Sequence, residues 1–445
     1  MNDKKFKISM FAKEIETDNG GLLLYSSYLG LKNAVNIEKN NIEKVRDWIT
    51  RKEIAYQDDP AFEKLVSYGY FVDSNIDEKL LRQDFINEIL YDDTLNLVIH
   101  TTEDCNFRCE YCALDFVKKP LDDVVAKSIV KFIRKNISKY SSVVISWFGG
   151  EPLLNIDAIE EISKEVISIC KCAKKQFYAS ITTNGFLLTK KNIDTLYHCH
   201  VREFTVTVDG CRNTHDKQRH LKNGNPTFDK IISNLREIKD DKNMHVKVII
   251  RTNVSKEILN SLKDYYEYLD HEFGDDRRFS VFMRLAADWG GERVKSMKDS
   301  LLSYSAYMQI FKTLSEIKNK LSFDLNGLHY EPSGCACSAM RKNKFTIAVD
   351  GKLYKCDSPI MSVGVLNNEG EMEIENAEHC RWNLAYNFAS DKCSNCFFSC
   401  ACFMGSCPIN IMNNKDKEGF PCSGFIQGLE SYVKFVALSG HFKQI

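Results

Sequence analysis

Net charge is almost absent from this chain: 60 Lys and Arg face 61 Asp and Glu over 445 residues, leaving −1. That balance gives no bulk attraction to nucleic acid or to an anionic membrane surface, and neither is an expected partner. Long apolar runs are missing as well, since no stretch approaches the roughly 20 apolar residues of a membrane span. The opening MNDKKFKISMFAKEIE is charged throughout and lacks the apolar core of an export signal, so the expected location is cytoplasmic. Internal repeats and low-complexity tracts are also lacking. Residues 1–92 contain neither cysteine nor histidine, which leaves that stretch without metal ligands of those types.

Cysteine is what the rest of the chain has in excess, 17 in all. Ten fall between Cys335 and Cys422, and three more sit together at Cys105, Cys109 and Cys112. In a reducing compartment such clusters are metal ligands or catalytic thiols rather than disulfides. The composition, 44% apolar and 27% charged, is that of an ordinary globular protein with room for two or three domains.

Hydrophobic periodicity divides the chain into three parts, 1–92, 93–300 and 301–445. In the first, Phe6–Phe11 and Gly21–Ser27 read as strands and Ile42–Thr50 and Pro60–Ser67 as helices, with a turn and short strand at Tyr68–Val72. From residue 95 the pattern repeats. Strands are expected at Leu95–Thr101, Val143–Phe148, Phe177–Thr183, Glu203–Val208, His245–Thr252 and Phe279–Arg284. Helices at Val124–Ile137, Ile156–Cys170, Asn192–His198, Thr227–Lys239 and Lys256–Leu269 separate them. Six such units imply an α/β fold with a parallel sheet, an open barrel or a doubly wound sheet, whose site lies at the carboxyl ends of the strands. Residues 300–325 read as a helix, 335–422 as a cysteine-rich, loop-like region, and Phe425–Leu438 as a closing helix.

Directly after the first of the six strands comes Cys105-Asn-Phe-Arg-Cys109-Glu-Tyr-Cys112. Three thiolates in one short loop can surround a four-iron cluster and leave one iron open. A closed zinc site needs a fourth ligand nearby, and the nearest histidine, His100, lies on the strand. The spacing therefore favours iron–sulfur over zinc.

This triad, its place after the strand and the repeats that follow resemble the radical S-adenosylmethionine (SAM) enzymes. Trp147-Phe148-Gly149-Gly150-Glu151-Pro152 is similar to the family's GGEP motif, where the glycines let carbonyls approach the SAM amino group and Glu151 offsets its charge. Thr183-Asn184-Gly185 ends the third strand. Thr207-Val208-Asp209-Gly210 is similar to a Ser-x-Asp-Gly motif, with Thr for Ser. Arg219 matches an arginine that contacts the SAM carboxylate, and Arg251 and Asn253 are expected in the same pocket. The resemblance implies SAM contacts from Tyr111, Gly149, Gly150, Glu151, Asn184, Thr207, Asp209, Arg219, Arg251 and Asn253, and a partial (β/α)6 TIM-like barrel.

The C-terminal cysteines resemble a SPASM domain: Cys337, Gly351-x4-Cys356, Cys393-x2-Cys396-x5-Cys402, Cys407 and Cys422. That resemblance implies two auxiliary [4Fe–4S] clusters, three in all. One would use Cys335 and/or Cys337 with Cys356 and Cys407; the other Cys393, Cys396, Cys402 and Cys422. Four residues rather than the usual three separate Cys402 from Cys407, which leaves Cys400 a competitor for Cys402. Only Cys393 and Cys396 form the C-x2-C knuckle that a zinc ribbon uses twice. Cys170, Cys172, Cys199, Cys211 and Cys380 read as small buried apolar residues.

The resemblance implies reductive cleavage of SAM to a 5′-deoxyadenosyl radical that takes hydrogen from a substrate carbon, driven by an external donor such as flavodoxin or ferredoxin. Residues 1–92 are similar to winged-helix-like leader-recognition modules of maturases acting on ribosomally made peptides. The expected function is thus a peptide maturase whose substrate is a precursor with a leader. It would install a thioether from cysteine sulfur to carbon, with a carbon–carbon cross-link close behind. Asp357, directly after Cys356, resembles the catalytic base of anaerobic sulfatase maturases, which make formylglycine and form a further alternative. A non-catalytic iron–sulfur scaffold is the remaining one.

Overall fold

The computed structural model describes residues 4–112, 116–117, 119–286, 293–302, 310, 321–323, 330–333, 336–358, 360–388, 391–404, 407–414, 425–437 and 442–445. The chain forms two compact units, one of residues 1–91, 325–340 and 384–445, the other of residues 92–324 and 341–383.

The first unit holds two small sheets. Strand β1 (Lys5–Ile8) lies between β5 (Ile54–Ala55) and β6 (Phe71–Asp73). The other sheet runs β18 (Lys443–Gln444), β4 (Val35–Ile37), β3 (Leu22–Ser26), β2 (Ala12–Glu16). Helices α1 (Ile42–Thr50) and α2 (Pro60–Ser67) occupy the ranges their periodicity predicts. Proline at the first position of α2 and an Asp59 side chain accepting from Ala61 and Phe62 start that helix. Their apolar faces, Val45, Trp48, Phe62 and Leu65, pack with Phe6, Leu22, Leu24 and Phe71 into one core that Ile445 joins. A third helix, α3 (Glu78–Leu90), was not anticipated.

In the second unit, β7 (Thr94–His100), β8 (Ser142–Phe148), β9 (Gln176–Thr183), β10 (Val201–Thr207), β11 (Lys247–Val254) and β12 (Phe279–Leu285) are parallel neighbours in chain order, with β13 (Ser322–Phe323) beyond. This is the expected strand–helix repeat, and each strand lies within about three residues of its predicted range. Along β8 the fully buried Val143, Ile145 and Trp147 alternate with half-buried Val144, Ser146 and Phe148. One face is thus sealed by helices, while the other lines the inside of the curved sheet. Helices such as α4 (Asp123–Asn136) supply the seal with Val125, Ile129, Phe132 and Ile133, spaced for one face.

The stretch 335–422 is more regular than its composition suggests. Strands β14 (Lys344–Ile347), β15 (Lys352–Tyr354), β16 (Ser362–Leu366) and β17 (Met372–Ile374) extend the same sheet beyond β7, β14 parallel to it and the rest antiparallel. Most of the helix expected at 300–325 lies outside the described residues, and its end is strand β13 instead, paired with β12. Among the described residues no helix is long and apolar enough to cross a membrane.

Candidate functional site

The triad loop leaves β7 and is clamped by the end of the short helix Arg212–Gln218 and the residues after it. Arg108 N donates to His220 O at 2.9 Å, Glu110 N to Gln218 O at 3.0 Å, and Lys222 N to Asn106 O at 3.0 Å. Lys222 also pairs with Asp104 at 2.7 Å. Cys105 and Cys109 are buried and Cys112 half-buried. Burial pushes the Cys105 thiol up to about 12, aided by the charge of Glu151. It pushes Cys109 up to about 11 against the opposing charge of Arg219. Among the described residues no three His, Cys, Asp or Glu side chains converge on one point as a mononuclear zinc site requires.

Gly149 and Gly150 serve the triad loop itself. Gly150 N donates to Thr102 O at 2.8 Å and Glu151 N to Asp104 O at 2.9 Å. A Cβ on Gly149, whose φ is +124°, would overlap the carbonyl of Thr102, and one on Gly150 that of Asp104. The glycines are therefore required by backbone meeting backbone, a reason that the motif alone did not reveal.

Glu151 is fully buried. Its Oε1 accepts from Thr183 Oγ1 at 2.6 Å and Leu153 N at 3.1 Å, and its Oε2 from Asn184 N at 2.8 Å. Burial raises its pKa, and those bonds together with the charge of Arg219 oppose the shift. Three of the carboxylate's acceptor positions are thus taken by its own framework. Asn184, so placed, donates to Asn106 Oδ1 at 2.7 Å and lies 3.8 Å from Cys105 Sγ.

A second network gathers at the ends of β10 and β11. Tyr111 donates to Asp209 Oδ2, and Arg219 donates to Tyr111. Arg219 stands 3.8 Å from Asp209 Oδ2. Asn253 donates from its backbone to Asp209 Oδ1 at 2.7 Å and from its side chain to Tyr111 at 3.1 Å. Arg251 Nη2 donates to Asn253 Oδ1 at 3.2 Å. Thr207, the last residue of β10, sits opposite Arg251 in register. Burial works against the charge of Arg219, but Cys109, Tyr111 and Asp209 outweigh it and hold the guanidinium charged. The Nε atoms of Arg219 and Arg251 are buried without a hydrogen-bond partner among the described residues.

Two residues the motifs did not single out complete this frame. His215, fully buried, accepts from Asp209 N at Nδ1 (3.0 Å), while its Nε2 faces Thr227 Oγ1 at 3.1 Å. Thr227 Oγ1 in turn donates to Arg219 O at 2.6 Å. Burial and the charge of Arg219 hold His215 well below the usual histidine range, in the neutral form. Spacing could not reveal it, because it acts on the backbone amide of Asp209 and on a threonine outside every motif.

Asp357 follows β15. Its Oδ1 pairs with Lys344 Nζ at 2.6 Å, and its carbonyl meets His100 Nε2 at 3.1 Å. Lys344 itself is buried and donates to Thr346 Oγ1 and Lys355 O. Half of the Asp357 side chain stays exposed.

Of the C-terminal cysteines, Cys335 and Cys422 lie outside the described residues. Cys356, in the second unit, is half-buried. In the first unit, Cys337, Cys393, Cys396 and Cys407 are half-buried and Cys402 is buried. Cys400 is fully enclosed, its thiol bonded by the side chain of Ser27 and pushed up to about 12 by burial. Among the remaining five, Cys170 and Cys199 are buried as expected, Cys211 is half-buried, and Cys172 and Cys380 are exposed.

Residues 99–269 match the Radical SAM superfamily. Residues 99–269 are thus a radical SAM domain. The radical SAM domain calls for one [4Fe–4S] cluster and SAM, and the residues present fit that pair: three thiols in one fixed loop, beside a buried charged guanidinium with an unused N–H. The chain is 25% identical over 329 residues to GTP 3',8-cyclase of Staphylococcus carnosus (strain TM300), covering 67% of this chain and 90% of the relative. Its fold is similar to anSMEcpe with bound AdoMet and Kp18Cys peptide (TM-score 0.61, 18% identity, 78% of this chain and 98% of the other). It is also similar to Streptococcus suis SuiB bound to S-adenosylmethionine (TM-score 0.51, 15% identity, 95% of this chain and 98% of the other). The cysteine-rich C-terminal region fits a SPASM domain.

Proposed function

We propose that this radical SAM enzyme is a maturase of a ribosomally made precursor peptide, forming a cross-link, a cysteine-to-carbon thioether in the first instance. The observation that carries the reading is the reach of the fold similarity. The SuiB fold covers 95% of the chain, residues before the triad included, whereas that of anSMEcpe covers 78%. SuiB has also been crystallised with the precursor peptide SuiA.

In this reading Cys105, Cys109 and Cys112 hold the SAM-binding cluster. Arg219 takes the carboxylate of SAM with its free N–H, and Asp209, Asn253, Tyr111, Arg251 and Thr207 shape the rest of the pocket. Glu151 fixes the loop through Asn184 and Thr183 and keeps acceptor capacity on Oε2 for the amino group of SAM. The chemistry that the bound cluster and SAM supply is removal of a hydrogen atom from a substrate carbon. The protein's part is to hold that carbon in place and to keep water out. Two auxiliary clusters, on the C-terminal cysteines, would receive the electron left when sulfur or carbon closes the bond. A flavodoxin or ferredoxin would supply the starting electron, and the strand edges of the first unit would take the leader by strand pairing.

The test is incubation of the anaerobically reduced enzyme with SAM and the short peptide encoded beside it, followed by mass spectrometry. A peptide lighter by two hydrogens, with 5′-deoxyadenosine formed, is expected. An unchanged peptide sinks the cross-linking proposal. The formylglycine reading rests on Asp357, whose half-exposed carboxylate could accept a proton from substrate. Conversion of a sulfatase-motif peptide, with no change in the adjacent precursor, would favour it.

A further inference from the structure

Helix α3 is turned inside out relative to an ordinary surface helix. It buries Glu78, Arg82, Ile86 and Leu90, one residue per turn, while Leu80 and Leu81 face outward, 68% and 40% exposed. Arg82 is only 7% exposed. Its Nη1 donates to the carbonyls of Ser394 (3.0 Å) and Cys393 (3.5 Å) and stands 3.3 Å from Ser399 Oγ. Those acceptors are all neutral. The acid one turn earlier does not compensate it, because Glu78 accepts from Ser9 Oγ at 2.5 Å and Met10 N at 3.0 Å. Among the described residues no carboxylate pairs with Arg82.

A buried guanidinium without a counter-charge is costly unless something anionic arrives. The segment Arg82 grips is the one that carries Cys393, Cys396 and Cys402. Cys396 N donates to Cys393 O at 3.3 Å, Ser399 N to Cys396 O at 3.2 Å, and Cys402 N to Phe398 O at 2.9 Å. The three thiols thus hang from one continuous turn whose first carbonyls are fixed by Arg82. Cys400, fully enclosed and hydrogen-bonded by the side chains of Ser27 and Ser399, also feels the charge of Arg82, and Cys402 is taken as the third thiol of the set. A four-iron cluster on thiolates carries net negative charge, and charge and hydrogen bonds around such a cluster set its potential.

We propose that Arg82 is a positioning residue for an auxiliary cluster held by Cys393, Cys396 and Cys402: it fixes the ligand turn and supplies the positive charge that stabilises the reduced cluster. This rests on the SPASM reading of those cysteines. It also gives the cysteine-free N-terminal segment a part in the redox chemistry.

The experiment uses the full-length, anaerobically reconstituted enzyme and compares wild type with Arg82→Lys, Arg82→Met and a Cys393→Ala/Cys396→Ala/Cys402→Ala variant. Iron content and potentiometric titration followed by electron paramagnetic resonance are the readouts. The triple variant should lose one cluster's iron and one signal; if it loses none, the SPASM reading of these cysteines is wrong. With that signal assigned, Arg82→Met should disfavour its reduction about tenfold, near 59 mV to the negative for one electron, while Arg82→Lys stays close to wild type. Loss of that signal in Arg82→Met with retention in Arg82→Lys supports the same role. An unshifted potential in Arg82→Met, or equal loss in both variants, overturns it.

Discussion

His215 shows how a single buried side chain can hold a polar network in place through a backbone amide. It accepts from Asp209 N, so the ring must be neutral for Asp209 to stay where Tyr111 and Asn253 meet it. Burial, reinforced by Arg219, holds its pKa well below the ordinary value near 6.5. In the unfolded chain the ring takes up a proton as the pH drops through about 6.5, and in the folded chain it does so only at much lower pH. The unfolded state therefore binds more protons in that window, and stability falls on acidification by about 1.4 kcal/mol per pH unit for this one group. His379, brought to about 4 by burial and Lys355, acts in the same direction between its own value and about 6.5. Urea unfolding from pH 7.5 to 5.5 should show the decline, and His215→Asn, whose Oδ1 can still accept from Asp209 N, should lessen its slope by one proton. An identical slope in that variant would refute the assignment. Residue chemistry of this kind was only half legible in the sequence. The ordered motifs picked out Tyr111, Asp209, Arg219, Arg251 and Asn253, which the structure does bring together. His215 and Thr227 were invisible because, apart from the bond between them, they hold backbone groups, and a sequence pattern carries no record of where a carbonyl or amide will lie.

At the scale of elements, the strand–helix repeat was readable because both periods are strong. Val143, Ile145 and Trp147 alternate along β8, and Val125, Ile129, Phe132 and Ile133 recur on one face of α4. Helix α3 was missed for the opposite reason. Its buried line is Glu78, Arg82, Ile86 and Leu90, with leucines outside, so its hydrophobic pattern contradicts its burial. Charge buried by specific partners overrides periodicity. The Gly149-Gly150 turn was found from sequence, but one reason for it was not: the glycines admit the triad's own backbone. Gly150→Ala sets a Cβ against the Asp104 carbonyl, and backbone cannot yield as a side chain does, so a cost of about 2 kcal/mol or more is expected. The displaced loop carries Cys105, so iron at the SAM-binding cluster should fall in step with the melting temperature. A Gly150→Ala protein with wild-type iron content would show that the close approach is not needed.

Across the whole molecule, the least legible contacts are those between distant parts of the chain. The terminal strand β18 runs parallel to β4, with Lys443 opposite Val35, and Ile445 enters the core that holds Trp48 and Phe62. Tyr25 donates to Tyr330 O at 2.7 Å, and Ser27 bonds to Phe397 O. Local periodicity says nothing about partners hundreds of residues apart. Residues 1–91 thus draw part of their core, one strand and several buried hydrogen bonds from residues 325–340 and 384–445, to which Arg82 also belongs by its bonds. A small module deprived of such partners buries too little apolar surface to offset its chain entropy. Expressed alone, residues 1–91 should therefore lack a cooperative thermal transition by circular dichroism, and should be cut rapidly by protease where the intact chain resists. The point variant Ile445→Ala, made in the full chain, tests the same dependence more gently, with an expected loss of about 2–5 kcal/mol from the N-terminal core. If the isolated segment melts as sharply and as high as the intact protein, it is a self-sufficient domain, and the clasp of Arg82 on the cysteine turn is a surface contact between two bodies rather than part of one core.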